Sequence, residues 1–342
     1  MSTDARAFWV VEPGRGEIRP VALPAPGPGQ VLVRALHSGV SRGTETIVFR
    51  GAVPESQRAV MRAPHQEGDF PGPVKYGYLG VGRVEEGPED LVGRTVFCLH
   101  PHQTAYVVPV GAVVVVPDDV PPRRAVLAGT VETAVNALWD AAPRVGDRVA
   151  VVGAGMVGCC VARLLAGIPG CRVTLVDVDP GRSAVAGRLG VNFARPDDLA
   201  GQGGDHDLVV HTSATGSGLQ LSLDLLAPEA TVLDLSWYGD SRVELSLGGS
   251  FHSSRLRIRA SQVGSVAAAR RSRYTYAERL ALAVQLLRDA SFDALLTGDS
   301  PFEELPEVMR RLADGSLPAI CHTITYRTTK RPTNRPTNRP TD

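Results

Sequence analysis

Apolar and polar positions alternate in short runs over residues 1–121, as in "QVLVRALHSGV" and "QTAYVVPVGAVVVVP", with proline and glycine between the runs. A period of two, cut by turn residues, predicts strands and a β-rich region. After "PDDVPPRRA" the period changes. "RRAVLAGTVETAVNALWDA" repeats at helical spacing, and "VGDRVAVVGAG" is an apolar strand running into glycines. Strands and helices then alternate: "RVAVVGAG", "MVGCCVARLLAG", "RVTLVDVD", "GRSAVAGRLG", and later "HDLVVHTSA", "GLQLSLDLLA" and "TVLDLSW". This predicts a parallel sheet covered on both faces. Residues 274–289 and "PFEELPEVMRRLADG" pattern as amphipathic helices, and "CHTITY" as a closing strand. The end, "RTTKRPTNRPTNRPTD", has nothing apolar to bury and is expected to be disordered over 328–342.

Composition narrows the function classes. The chain has 342 residues, 43% hydrophobic and 21% charged, which suits a soluble protein of two domains. Basic and acidic residues balance at 36 each, so nothing points to nucleic acid or a membrane surface as partner. Five cysteines occur without a CxxC, which argues against a disulfide framework or a zinc finger. "MSTDARAFWVV" lacks the charged and apolar regions of a signal peptide, and no apolar run reaches membrane-spanning length. The expectation is a cytoplasmic protein.

The chemistry-bearing motif is Gly153-Ala154-Gly155-Met156-Val157-Gly158. It follows an expected strand, opens an expected helix, and is followed by Asp177, 19 residues past the third glycine. That is the context of a dinucleotide fingerprint. Gly153 allows the tight turn, Gly155 lets backbone approach a pyrophosphate, and Gly158 lets helix and strand pack closely. The helix start at Met156 and Val157 offers free N–H groups to phosphate. Asp177 accepts from a ribose 2′-hydroxyl and repels a 2′-phosphate, so the cofactor expected is NAD, with Val178 beside it. Arg182 is the nearby cation, placed to stack on adenine or to help NADPH. Thr212, Ser213, Ser236 and Trp237 end later strands at the edge where open α/β sheets bind ligands.

A β-rich first part, a central Rossmann unit and a helical return resemble the medium-chain dehydrogenase/reductase superfamily. The resemblance implies a Rossmann doubly wound parallel sheet plus a β-rich GroES-like catalytic domain. It places the latter at 1–121, completed by 261–327, and the Rossmann domain at 122–260. Zinc members typically read C-G-[ST]-D-x-H and then G-H-E-x-x-G-x-V. In "GVSRGTETIVFRG", Ser41 stands where the cysteine ligand would be, Gly43 is roughly an insertion, and Ile47 falls where a proton-relay histidine is usual. In "GYLGVGRV", Tyr78 takes the histidine place and Leu79 the glutamate place, and the third ligand position falls on Gly129. "VFCLHPHQTAYVV" crosses where a four-cysteine zinc lobe would be. Ser, Tyr and Gly cannot make the N/S site that zinc prefers, so no metal is expected. "SRGTE" with "GY" in place of "GH" is similar to the bacteriochlorophyllide a dehydrogenase branch.

The resemblance implies hydride transfer between a nicotinamide and a small-molecule alcohol or carbonyl, with the glycines of "GYLGVGRV" letting that strand lie close under the nicotinamide. Tyr78 is the leading catalytic candidate, or else a tyrosine filling the vacated metal site. Thr44 resembles the hydroxyl that binds the substrate oxygen. Ser41 is a further candidate or an inert replacement. Glu132 is expected either as a buried acid or in a local salt bridge, and the neighbouring Thr133 matches a position beside the nicotinamide. Arg42 meets the pyrophosphate or a surface acid, and Gln262 in "ASQVG" contacts the nicotinamide side. His65, His100, His102 and His252 are scattered and are expected to be structural or on the surface. Family members often pair through the Rossmann sheet edge. That makes a homodimer along "RVELSLGGSFHSSRLRIRA" the expected assembly.

Overall fold

The structure, a computed structural model, describes residues 3–199, 201 and 204–327. The RPTN repeats lie outside them.

Apolar runs decide the central layer. Strands Arg148–Val152, Arg172–Val176, Asn192–Ala194, His206–His211, Leu226–Asp234 and Arg257–Ala260 form one six-stranded sheet, parallel throughout. Counted in chain order, the strands lie 3-2-1-4-5-6, the Rossmann arrangement with its switch point beside the first strand. Val149, Ala150 and Val151 are fully buried because helices cover both faces, which is why this strand is apolar from Val149 to Val152. Helix Met156–Ala166 packs one side with Cys159, Cys160, Val161 and Leu165. Helix Gly216–Asp224, capped by the Thr215 side chain on the Gly218 N–H, packs the other with Leu219 and Leu223.

The β-rich part is built on a seven-stranded sheet. Its path runs Leu296–Pro301, Cys321–Thr325, Gln30–Val40, Gly80–Glu86, Thr95–Cys98 and Val113–Val115, and Ala105–Pro109 also pairs with Gln30–Val40. The chain therefore leaves this sheet, makes the parallel one, and returns. A smaller four-stranded sheet joins Arg15–Leu23, Thr3–Glu12, Val74–Lys75 and Glu67–Gly68. Helix Tyr276–Leu286 starts at a capping box, Thr275 with Glu278, and buries Leu280, Ala283 and Val284. No helix among the described residues is long and apolar enough to cross a membrane.

One element departs from the strand expectation. Arg42–Phe49 is an α-helix, so Thr44 lies on a helix and not at a strand end. Gly, Thr and β-branched residues are weak helix formers. The Glu45 carboxylate, accepting the Ser41 N–H at 2.8 Å, and the Thr46 hydroxyl, donating to Arg42 O at 2.6 Å, hold the first turn instead.

Candidate active site

The glycine turn sits at the carboxyl end of Arg148–Val152. Gly153 has φ +109, and a Cβ there would lie 2.8 Å from the Ser213 N. One on Gly158 would lie 1.9 Å from Gly153 O and 2.6 Å from the Thr212 hydroxyl, so only glycine fits. Gly155 is different: nothing stands within 4 Å of its missing Cβ. The start of helix Met156–Ala166 thus faces open space, a cradle suited to a pyrophosphate. Asp177 accepts the Ala154 N–H at 2.7 Å on one oxygen and the Asp179 N–H at 2.9 Å on the other, with lone pairs left for a ribose diol. Val178 is 73% exposed beside it, an apolar surface suited to an adenine face. Arg182 pairs with Asp179 at 3.2 Å. These residues fit a dinucleotide.

On the other side of the switch point, fully buried His211 is bonded to Asp234 Oδ1 at 3.0 Å and to the Ser213 hydroxyl at 2.8 Å. Ser236 Oγ and the Tyr238 hydroxyl reach the same imidazole at 3.1 and 3.3 Å, and Tyr238 donates to Asp234 Oδ2 at 3.0 Å. Bonds from the imidazole and from Ser236 N–H hold the Asp234 carboxyl below its usual range, although burial pushes it up. The network fixes both loops that leave the sheet here. Trp237 then packs on the apolar cluster of the β-rich part that Ile47 and Tyr78 border. A Cβ on Gly239 would lie 3.1 Å from Ala52 O and 3.6 Å from Ile47 Cγ2, so the sheet edge meets helix Arg42–Phe49 directly.

Tyr78 lies under that meeting point. The Ser41 and Thr44 side chains stand beside its hydroxyl. Burial, and next the Glu45 carboxylate, push the phenol up to about 12, while the two hydroxyls oppose the shift. Tyr76 meets Tyr78 edge-on with ring centroids 6.0 Å apart. The three positions at which zinc ligands were looked for thus carry two hydroxyl groups and Gly129. A side chain at Gly129 has no room, since its Cβ would lie 2.7 Å from Leu79 Cδ2. Oxygen from Ser and Tyr alone does not fit zinc. Among the described residues, no group of three or more His, Cys, Asp or Glu side chains is placed to hold a metal ion.

Several of the expected residues find protein partners here. Glu132 is buried against Arg279, at 3.0 Å from its Nε, and the same guanidinium binds Asn136 Oδ1 and the carbonyls of Val263 and Ser265. Desolvation pushes Glu132 up while Arg279 pulls it down. Of its two expected roles, the structure shows the salt bridge, and the pair pins the 263–265 segment. Thr133 donates to Gly129 O within its helix at 3.0 Å. Gln262 is exposed, its amide oxygen accepting Gly264 N–H at 2.6 Å. Arg42 is exposed, and no acid among the described residues pairs with it. The glycines of "GYLGVGRV" make room for protein neighbours. A Cβ at Gly82 would lie 2.5 Å from Arg34 O in the neighbouring strand, and one at Gly77 2.9 Å from His102 Cδ2.

His102, expected to be structural or on the surface, is buried against Glu45. It is 1% exposed, and its Nε2 lies 2.8 Å from Oε2 of Glu45, which is 3% exposed. Gly77, with φ +131 and no space for a side chain, was the available signal. His100, stacked on Tyr106 at 3.8 Å, is structural as expected.

No protein-family model matches the chain, and no curated protein matches it in sequence. Solved structures do match it in shape. An L-idonate 5-dehydrogenase from Escherichia coli superposes with a TM-score of 0.77 at 15% identity, over 95% of this chain and 99% of that one. The chain shares its fold. A short chain alcohol dehydrogenase from E. coli complexed with NADH gives 0.74 at 16% identity, over 94% and 99%. A dehydrogenase from Sinorhizobium meliloti bound to NADP gives 0.75 at 17% identity, over the same shares.

Proposed function

We propose that the protein is a zinc-independent oxidoreductase that uses NAD(H) to interconvert a small alcohol and its carbonyl. The observation that carries this is the pairing of an open glycine cradle at Gly155 with a carboxylate acceptor at Asp177. The bound nicotinamide supplies or accepts the hydride. Tyr78 donates a hydrogen bond to the substrate oxygen, in a place where preorganised donors do the work of a Lewis acid. Ser41 and Thr44 aim that phenol. Trp237 and Ile47 wall the space and exclude water. The likeness to NADH- and NADP-bound neighbours leaves the choice of cofactor to Asp177, which favours NADH.

A protonated donor with no metal also suits a conjugated enone, a quinone or an iminium ion. Tyr78, held in its phenol form, favours keeping that second reading. Titrating the purified protein with NADH and NADPH by nicotinamide fluorescence, then assaying a saturated ketone beside an enone, tests both readings. Failure to bind either cofactor would overturn the proposal, and turnover of the enone alone would select the second. Tight NADH binding with no turnover would make the chain a cofactor sensor.

The similarity of "SRGTE" and "GY" to the bacteriochlorophyllide a dehydrogenase branch supports a hydroxyalkyl substrate class. Two copies are proposed to pair along Arg257–Ala260, the outermost strand of the parallel sheet, all four of whose residues are exposed.

A further inference from the structure

Behind Tyr78, four buried polar side chains from distant parts of the chain form one line. Glu45 Oε1 accepts the Ser41 N–H at 2.8 Å, and Oε2 lies 2.8 Å from His102 Nε2. His102 Nδ1 lies 2.7 Å from the Ser38 hydroxyl, which lies 2.8 Å from the Tyr326 hydroxyl. None of the four is more than 8% exposed. One set of protons satisfies every member: Tyr326 donates to Ser38, Ser38 to Nδ1, and Nε2–H to the carboxylate. A carboxylate so deep in the protein costs several kcal/mol unless bonded, and here both oxygens are used.

The positions involved show that the line is built in. Gly77, next to Tyr78, has no side chain because the His102 ring and backbone occupy that space, at 2.9 and 3.2 Å from a Cβ. His102 comes from the segment that crosses the place of the absent zinc lobe, and Glu45 from the same helical turn as Thr44.

We propose that Glu45 and His102 are positioning residues of the Tyr78 site, holding the Ser41–Thr44 turn against the phenol through a tether that ends at Tyr326. The proposal rests on the catalytic reading of Tyr78. Neither residue touches substrate. Glu45 acts through Ser41, whose backbone it binds and whose side chain meets Tyr78. Its negative charge also favours the phenol over the phenolate, so the donor keeps its proton. The other titratable groups facing the pair are Tyr76, Cys321 and Tyr326 toward Glu45, and His100 toward His102.

The test uses the full-length protein without cofactor, labelled at tyrosine Cζ and followed by NMR. The Tyr78 resonance is the one lost in Tyr78→Phe. Glu45→Gln is isosteric and removes the charge, so the Tyr78 titration should move to lower pH by half a unit or more. His102→Ala should speed exchange of the Ser41 amide at least tenfold, and His102→Gln, which keeps an N–H for Glu45, should restore protection. In turnover, Glu45→Gln should lower kcat about tenfold with KM little changed, and move the alkaline limb of the pH profile down with the phenol. An unmoved Tyr78 titration in Glu45→Gln, or an unchanged Ser41 amide in His102→Ala, would overturn the proposal. Normal turnover in Tyr78→Phe, with both shifts intact, would overturn the catalytic reading and leave the tether standing.

Discussion

The Asp177 carboxylate reaches back 2.7 Å to the Ala154 N–H, inside the turn beside which a cofactor ribose would lie. One oxygen thus shapes the glycine turn, and in the proposed function the group as a whole selects the cofactor. NADH should exceed NADPH in kcat/KM. Asp177→Ala should narrow the gap and cost roughly 1.5–3 kcal/mol of NADH binding, the usual worth of a charged hydrogen bond. Asp177→Asn keeps an acceptor for Ala154 but not for the Asp179 N–H, so its melting temperature should fall less than that of Asp177→Ala while NADH affinity falls. Fluorescence titration of both variants reads the result, and a native preference for NADPH would show the ribose assignment to be wrong.

Gly155 and Gly158 should part company on substitution. Gly158→Ala drives a methyl into Gly153 O and should lower the melting temperature by several degrees. Gly155→Ala meets open space at an ordinary φ of −77, so folding should be unaffected while NADH binding weakens tenfold or more. Thermal denaturation beside cofactor titration checks the pair.

Tyr78→Phe keeps the ring and its edge contact with Tyr76. Stability should hardly move, and kcat should fall by about 10²–10³, as for loss of one preorganised donor. Stopped-flow measurement of hydride transfer gives the comparison. If the variant keeps native kcat, Tyr78 only fills space.

The helix–strand alternation and the fingerprint made the parallel sheet legible, because each signal is local: one apolar run, one turn, one acid on the next strand. The site was legible only in part. Tyr78, Ser41 and Thr44 were named from their places in a motif, and the two hydroxyl residues stand beside the phenol. Glu45 and His102 are 57 residues apart, and nothing local in "SRGTETIVF" or "LHPHQTAY" says that they touch. Glu132 was ambiguous because its partner, Arg279, lies 147 residues away. Helix Arg42–Phe49 was hidden for a related reason: side-chain bonds to its own backbone hold it, against its propensities.

His100 should make stability depend on acid. Burial pushes its imidazole down to about 3, a hydrogen bond to Pro101 O opposing. Between about 6.5 and 3 the unfolded chain binds a proton that the folded chain refuses, so stability falls as pH drops, by about 1.4 kcal/mol per unit. His37, His65 and His322 shift in the same direction. His100→Phe preserves a stack on Tyr106 and should flatten the slope of urea midpoints between pH 6.5 and 4. An unchanged slope would assign the acid sensitivity elsewhere.

Pairing along the parallel-sheet edge predicts a dimer by light scattering. Ile258→Pro removes a ladder N–H from that edge strand and should give monomers. A native monomer would reject the interface.

Strand Gln30–Val40 pairs with Cys321–Thr325, His322 opposite Val40. During synthesis the earlier strand waits about 280 residues for its neighbour. At roughly 5–20 residues per second, the wait lasts about 15–55 seconds. Throughout that interval Ser38 has no Tyr326 to bond, and the 37–40 end of the strand keeps an open row of N–H and C=O groups, since Ala105–Pro109 covers only residues 30–34. A nascent chain in this state is a template for pairing with other chains. A stop codon before residue 321 makes the exposure permanent, so truncated products should aggregate on the ribosome's timescale even though their parallel sheet is complete.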